Sequence, residues 1–353
     1  ATGWHFTWDL CCRNAALTNL DNPSGLSFTL RASMFPYFDP VSGLQTPTDP
    51  CFDSSPIFNE SPKTIICTGY PFAYSHNASD DELDAIFYDW DEPLDDFAGA
   101  FNPPVNPMSL PFLAPYTYDN PLPGGVTLDT ITGEIAYNST ISGNFVTVVR
   151  IDAYKCGQLV AQIYREIQAV LIACPTLSGG VGNTPPTVSP PFTDPNTGLP
   201  SYSTTVPAGG VISFQIHSDD FDIYPNGQPQ DVTLEITGGQ MAGDFITVTD
   251  CANPPCATFD NGAGLTPPFS NPSFVDGYFE WQTACSHVSA NIGCGNTSNL
   301  YTFAIKAYDD FCPAPAITLA TISIEVTAAN LLPQPDLQCA FLDGEGDLTL
   351  DWN

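Results

Sequence analysis

Ser75-His76-Asn77-Ala78-Ser79-Asp80-Asp81-Glu82-Leu83-Asp84 is a polar, acidic stretch between two apolar runs, Tyr70 to Tyr74 and Ala85-Ile86-Phe87-Tyr88. It reads as strand, acidic turn, strand. The pattern returns in the second half of the chain as Val211-Ile212-Ser213-Phe214-Gln215-Ile216-His217-Ser218-Asp219-Asp220-Phe221-Asp222, followed by Val232-Thr233-Leu234-Glu235-Ile236. Each acidic turn is followed by a second similar strand, Phe145 to Tyr154 or Leu300 to Tyr308. Each copy closes on a last strand, ending Val170-Leu171-Ile172-Ala173 or Ile324-Glu325-Val326-Thr327. A weak internal repeat of this length means tandem modules.

Composition sets the bounds. At roughly 100 to 150 residues per domain, 353 residues allow two or three modules. The charge is lopsided, 39 acidic residues against 7 basic, net −32. That argues against nucleic acid, whose affinity comes from Lys and Arg on phosphates, and against an anionic membrane surface. It favours hard cations with oxygen ligands, Ca²⁺ above all. Solubility through self-repulsion is the competing reading. Thirty-five prolines and 27 glycines punctuate the chain, and no long stretch has a clean helical period. Tyr164 to Ala173 has apolar spacing that would suit a helix. Lys155-Cys156-Gly157-Gln158 just before it makes a hairpin turn, so the stretch reads as a strand. The chain is therefore all-β.

Twelve cysteines lack zinc-type spacing. In an acidic β protein they read as disulfides in an oxidising, extracytoplasmic setting. Cys251-Ala252-Asn253-Pro254-Pro255-Cys256 is a short loop able to close on itself, and Cys285 to Cys294 is another. No signal peptide begins the chain and no apolar run reaches the length of a membrane span, so an exported precursor is expected to be longer, or the chain to be an excised piece.

Five segments follow. Residues 1–56 hold two strands, Trp4 to Leu10 and Leu26 to Ala32, and read as the C-terminal part of a preceding β module or as a strand-pairing segment. Residues 57–175 form module one. It contains a Pro-rich excursion, Asn102 to Pro123, whose Leu110, Phe112, Leu113, Tyr116 and Tyr118 imply that it packs down. Residues 176–185 are a Gly/Pro linker, and residues 186–329 form module two. In its last strand Ile317 and Leu319 share one parity, and Ile322, Ile324 and Val326 the other. That change of phase predicts a β-bulge near Ala320-Thr321. Residues 330–353 are a second linker and one hairpin.

Several stretches resemble known families. Ser55-Pro56-Ile57-Phe58 is similar to the start of a cadherin-type module. Asp80-Asp81-Glu82-Leu83-Asp84 with Phe87-Tyr88 resembles the bacterial form of its acidic turn, and Leu128-Asp129-Thr130-Ile131-Thr132-Gly133-Glu134-Ile135 its mid-repeat element. Leu10-Cys11-Cys12-Arg13-Asn14-Ala15-Ala16 with Ser54 to Phe58 is similar to repeats in very large surface proteins of Bacteroidota, including gliding-motility adhesins exported by the type IX system. The C-terminal hairpin, with Trp352, resembles the opening of a fibronectin type III domain. The resemblance covers most of residues 4–174 and is looser over 185–329. It implies tandem immunoglobulin-like or cadherin-like β-sandwiches, in which the first and last strands run side by side and pair Cys67 with Cys174. The linker signature of vertebrate cadherins (Asp-x-Asn-Asp-Asn) is missing.

Carboxylates two to four residues apart on a turn converge on one ion, and crowding them without a cation is unfavourable. The candidate Ca²⁺ ligands are Asp219, Asp220, Asp222, Asp309 and Asp310 in module two, and Asp80, Asp81, Asp84 and Asp152 in module one. The alternative is a solvated turn. His76 and His217 stand just before the two turns and suggest a repeated structural role. No nucleophile elbow occurs. Paired carboxylates of glycosidase type depend on the fold rather than on spacing. Asn77, Asn138 and Asn296 lie in N-glycosylation patterns, and Asp129-Thr130-Ile131 fits the O-glycan pattern that the Bacteroidota resemblance implies, with Thr130 as acceptor.

The expected function is a non-catalytic stalk or filament region of an extracellular, cell-surface bacterial adhesin. The expected partners are neighbouring modules or identical subunits, with surface glycans or other cells as further candidates, and neither nucleic acid nor a membrane interior. One alternative is a self-assembling filament subunit joined by strand complementation. Another is a carbohydrate-binding or carbohydrate-processing module.

Overall fold

The computed structural model describes residues 3–40, 42–45, 53–62, 65–95, 107–173, 183–242, 250–288, 297–311 and 315–328, and the backbone of 337–342 and 348–352. The first half supplies β1 (Trp4–Cys11), β2 (Ser27–Met34), β3 (Ile57–Phe58), β4 (Ile65–Cys67), β5 (Pro71–Ser75), β6 (Ala78–Ser79), β7 (Ala85–Trp90), β8 (Leu94–Asp95), β9 (Met108–Ser109), β10 (Val126–Leu128), β11 (Glu134–Asn138), β12 (Gly143–Lys155) and β13 (Gln158–Ile172). The second half supplies β14 (Thr187–Val188), β15 (Phe192–Thr193), β16 (Pro200–Ser201), β17 (Ser203–Pro207), β18 (Val211–Asp219), β19 (Asp231–Thr237), β20 (Thr258–Asp260), β21 (Phe269–Pro272), β22 (Phe274–Gln282), β23 (Ser298–Asp309) and β24 (Ile317–Thr327). β25 (Leu337–Leu342) and β26 (Leu348–Trp352) form the last hairpin.

In module one a large sheet runs β7-β12-β13-β2-β8-β9, with β1 on β2 and β4 parallel to β13. A small sheet, β10-β11-β5, faces it. Phe72, Tyr74, Ile135 and Tyr137 of the small sheet pack against Val149, Ile151, Ile163 and Ile167 of the large one. In module two β14-β18-β22-β20 faces β17-β24-β23-β19-β21. Ile216, Phe279 and Trp281 meet Leu234, Phe303, Ile305, Ile322 and Ile324 between the layers. The cause is strict alternation. In β22 the residues Val275, Gly277, Phe279 and Trp281 point inward while Asp276, Tyr278, Glu280 and Gln282 do not, so one side of the strand is driven into the core.

The hairpin read at Lys155 to Gln158 is present. Cys156 (φ 50) and Gly157 (φ 73) both take the left-handed conformation, which matches the right-handed twist of β12 and β13. β1 and β2 are part of module one's sheet, since Ala32, Ser33 and Met34 of β2 pair with Ile163, Gln162 and Ala161 of β13. The Pro-rich excursion packs down through Leu110, Phe112 and Tyr116, whose ring lies 5.6 Å from that of Phe145. Leu113 and Tyr118 stay exposed.

The bulge expected near Ala320-Thr321 is not there. β23 and β24 pair without a break from Ser298↔Thr327 to Tyr308↔Ile317. The change of phase has another cause. Ile322, Ile324 and Val326 face the core of module two. Ile317 and Leu319 face the other way and pack into the core of module one. One regular strand serves two cores, because its outer face is covered by the neighbouring module.

Candidate functional site

The two acidic turns are built to one plan, and the pairing register shows which residues correspond. Ile57 and Phe58 pair with Ser79 and Ala78; Thr187 and Val188 pair with Asp219 and Ser218. Asp80 therefore stands where Asp220 stands. Each carboxylate accepts a backbone N–H two residues on, Glu82 N to Asp80 Oδ1 at 3.1 Å and Asp222 N to Asp220 Oδ1 at 2.8 Å. Glu82 and Asp222 correspond too. Ser54 donates its N–H and hydroxyl to Glu82 Oε2 (3.2 and 2.7 Å), and Thr184 donates its own pair to Asp222 Oδ2 (2.6 and 2.8 Å). These bonds fix each turn against the strand that opens its module.

The fourth position differs in charge. Ile151-Asp152-Ala153-Tyr154-Lys155 ends β12 as Ile305-Lys306-Ala307-Tyr308-Asp309 ends β23. Lys155 thus stands where Asp309 stands, and Asp152 where Lys306 stands. In module one Lys155 Nζ bridges Asp53 (2.8 Å) and Asp84 (2.7 Å), whose side chains are wholly buried. In module two Asn183 replaces Asp53 and donates to Asp309 Oδ2 at 2.7 Å, and Phe311 and Ala316 give their N–H groups to Asp309 Oδ1. Gln230 Nε2 completes this knot by donating to Asn183 Oδ1 at 2.8 Å.

These positions sort the expected Ca²⁺ ligands. Asp80, Asp84 and Asp220 lie in the buried turns, and Asp309 beside the second one; Asp81 is exposed. Asp152 is elsewhere. It accepts from Arg150 and Gln162, in a cluster where Arg150 also holds Asp89 and Asp91. Asp310 is turned to Tyr224 and the Asp231 N–H, and Asp219 to Thr187 and His217. Among the described residues no three His, Cys, Asp or Glu side chains are grouped to hold a metal. Oxygen atoms without partners remain: Asp220 Oδ2, Gln230 Oε1 and Ser218 Oγ in module two, and Asp80 Oδ2 and Asp53 Oδ2 in module one. Burial pushes the Asp80 carboxyl up to about 7, helped by Asp84, Glu82 and Asp53. Burial likewise pushes Asp220 up to about 6, helped by Asp222, Asp309 and Asp219. In module two the oxygens without partners are a carboxylate, an amide and a hydroxyl, donor types that suit a hard cation. In module one the cation is already present as Lys155.

The histidines do not share a role. By the same register His76 corresponds to Ile216, and His217 to Asn77. His76 is fully buried, neither ring nitrogen has a partner, and burial pushes its pKa down to about 3. Tyr74, Phe58 and Tyr88 surround it at 5.3, 6.3 and 6.4 Å between ring centroids. His217 faces outward, with Nδ1 2.7 Å from Asp276 Oδ1.

A polar seam joins the modules. Asn77 Nδ2 donates to Thr237 O and Oγ1 (3.1 and 3.3 Å), and its Oδ1 accepts from Thr302 Oγ1 at 3.1 Å. Thr237 Oγ1 donates to Glu60 Oε2 at 2.8 Å. Ile317 and Leu319 add apolar contact at one end, and Asn253 Nδ2 reaches Asp81 O at the other. Between them lies a cleft of about 420 Å³, lined by Asp80, Leu83 and Tyr88 on one side and by Gly239, Asn253 and Leu300 on the other. The modules therefore lie side by side. The N-glycosylation expected at Asn77 is ruled out in this fold, because its amide is 1% exposed and bonded across the seam. Asn138 and Thr130 are exposed, and Asn296 lies outside the described residues.

Of the expected disulfides, Cys251–Cys256 is formed, with Cα atoms 5.7 Å apart. Its loop is anchored by Trp281 Nε1 donating to Pro255 O at 2.9 Å and by His287 Nε2, 2.7 Å from Asn253 O. Cys285 is a free, exposed thiol, so its expected bond to Cys294 is not formed. The buried His287 pins the 3-10 turn Cys285–His287 and leaves Cys285 at the surface; Cys294 lies outside the described residues. Cys67 and Cys156 are disulfide-bonded, and Cys174, the partner expected for Cys67, lies outside the described residues. Cys11 and Cys12 are bonded to each other.

No protein-family model matches the chain, and no curated protein matches it in sequence. Solved structures that resemble it are arrays of cadherin and immunoglobulin domains. Drosophila N-cadherin domains 1–3 are 13% identical over 78% of this chain and 68% of that one, with a TM-score of 0.22. Zebrafish RET cadherin-like domains 1–4 are 10% identical over 77% and 48%, with a TM-score of 0.20. Titin domains A168–A170 are 12% identical over 84% and 74%, with a TM-score of 0.22. The strand pairing itself carries the fold. In each module the opening strand is split in two, β14 antiparallel to β18 and β17 parallel to β24 as β3 is to β6 and β4 to β13. The chain is all-β, a tandem of immunoglobulin-like and cadherin-like β-sandwiches.

Proposed function

We propose that this chain is a non-catalytic, load-bearing part of an extracellular bacterial surface protein, a stalk or filament region of an adhesin. The observation that carries the reading is the seam. Asn77, Thr237, Thr302 and Glu60 bond two sandwiches along their sides, so a force on one is passed to the other through many contacts rather than through a Gly-rich linker. The Cys251–Cys256 disulfide suits an oxidising, extracellular setting. Ca²⁺ belongs to this reading at module two only, where Asp220, Gln230 and Ser218 offer oxygens without partners, and its role there is to offset the charge of Asp220, Asp222 and Asp309. Module one is served by Lys155. The test is calorimetry of the whole chain. Residues 3–328 melting in one cooperative transition, with equal calorimetric and van't Hoff enthalpies, is the expected result; two independent transitions contradict it.

The self-assembling subunit is the second reading, and the exposed ribbon of β1 and β2 favours it.

A further inference from the structure

The apolar face of the β1–β2 ribbon continues the core side of the large sheet, where Ala32 packs against the core of module one, and β1 leaves most of it uncovered. Trp4 (72% exposed), Phe6 (59%), Trp8 (52%) and Leu10 (55%) stand on one face of β1. Their cross-strand neighbours on β2, from Met34 back to Phe28, are apolar too. The opposite face pairs His5 with Ser33, Thr7 with Arg31 and Asp9 with Thr29. Yet Ser33 and Thr29, on that polar face, are each 1% exposed. A sheet with one wet face normally turns its polar side to water. A slip of one residue would restore that order, but the register is held by His5 Nδ1 and Ser33 Oγ at 2.8 Å and by Thr29 Oγ1 donating to Asp9 Oδ1 at 2.8 Å. An apolar face left uncovered is the mark of a surface that is covered in use.

We infer that this face is the contact between two copies of the chain, packed ribbon on ribbon about a two-fold axis. Charge is the first argument for a second copy. Residues 1–37 carry two acidic side chains, Asp9 and Asp21, and two basic ones, Arg13 and Arg31, so their net charge is zero in a chain of net −32. Two such chains repel each other over the rest of their surface, and the repulsion is least where these segments meet. The face itself offers no charge to an ionic partner. Area is the second argument. Four side chains at these exposures leave roughly 500 Å² open, taking 150–250 Å² for a whole aromatic residue. Two copies then cover about 1,000 Å², the lower bound for a specific interface. Two-stranded ribbons can stack face to face about 10 Å apart, as sheets do in a sandwich, and a two-fold axis lets the same patch serve both partners. This deepens the reading of identical subunits as partners, and it is separable from the seam, whose residues lie on other strands.

The experiment is sedimentation equilibrium of the whole chain across a concentration series, with Trp4→Ser/Trp8→Ser beside it. The expected result is a wild-type mass of twice 37.8 kDa at high concentration, and a single-chain mass for the double variant, with a melting midpoint equal to that of wild type at concentrations where wild type is monomeric. A wild type that stays monomeric at every concentration overturns the inference, whether the face is then open, inserted in a membrane or covered by another segment. A double variant that dimerises like wild type also overturns it. Should the double variant fail to fold, acrylamide quenching of wild-type tryptophan fluorescence decides. Protection that grows with concentration supports the contact, and quenching independent of concentration overturns it.

Discussion

Lys155 and Asp309 occupy the same strand position in the two modules with opposite charge. Both follow the sequence Ile-x-Ala-Tyr at the end of the same strand, β12 or β23, and both reach the residue that opens the module, Asp53 or Asn183. One module carries its own cation and the other a carboxylate in the same place. Removing the ammonium in Lys155→Met takes the cation away from the buried Asp53 and Asp84, which typically costs about 3–5 kcal/mol. Added Ca²⁺ is expected to recover part of that loss in the variant, because the three carboxylates Asp53, Asp80 and Asp84 are then left without a cation. Wild type is expected to respond to Ca²⁺ through module two alone, by about 2.7 kcal/mol at 100 times the dissociation constant, and Asp220→Asn to abolish the response. Melting midpoints with Ca²⁺ and with EGTA, at fixed ionic strength, check both. A Lys155→Met chain as stable as wild type in EGTA counts against the assignment.

Protonation is the second lever. Burial raises Asp80 to about 7 and Asp220 to about 6, above the ordinary carboxylate value. The folded chain therefore binds more protons at these groups than the unfolded chain between about pH 4 and pH 7. Stability from these two groups then falls as pH rises through that window. In EGTA the midpoint at pH 5 relative to that at pH 7.5 is expected to be higher in wild type than in Asp80→Asn/Asp220→Asn. A wild-type midpoint that rises over that interval while the double variant's does not would show the opposite linkage.

His76 supplies a third test. It fills the place of Ile216, wholly buried, with two ring nitrogens that bond to nothing. A buried polar group left unpaired costs about 1–3 kcal/mol. His76→Ile is expected to raise the denaturant midpoint with the slope unchanged. A lowered midpoint would mean that the imidazole makes a favourable contact that the isoleucine lacks.

The all-β architecture and the tandem repeat were legible because alternation and turn residues are local. The hairpin at Cys156-Gly157 and the strand after it followed from a two-residue turn, and the Cys251–Cys256 bond from a five-residue separation. What was misread depends on surfaces that meet in space. The parity change in β24 looked like a bulge, and it records a strand with a core on either side. Asn77 looked like a glycan acceptor, and it is the centre of the seam. The repeated Ile-x-Ala-Tyr aligns Asp152 with Lys306 and not with Asp309, a signal that is present in the sequence. The two histidines looked equivalent by distance from the turn, and one residue of register puts them on opposite faces of the strand. The uncovered ribbon was visible only as two good strands, because alternation does not say which face is covered.

The central claim is that the two sandwiches form one side-by-side body along Asn77, Thr237 and Leu319. Small-angle X-ray scattering of the Trp4→Ser/Trp8→Ser chain tests it most directly, since that chain is monomeric on this account. A compact body of 353 residues has a radius of gyration of about 20 Å, and that is the expected value. Gly239 lies against Ser79 and Asn59 across the seam, where any side chain would meet the Ser79 hydroxyl, so Gly239→Val is expected to open the pair and raise the radius. A parent chain already well above that radius, and unmoved by Gly239→Val, would show two modules strung end to end and contradict the account.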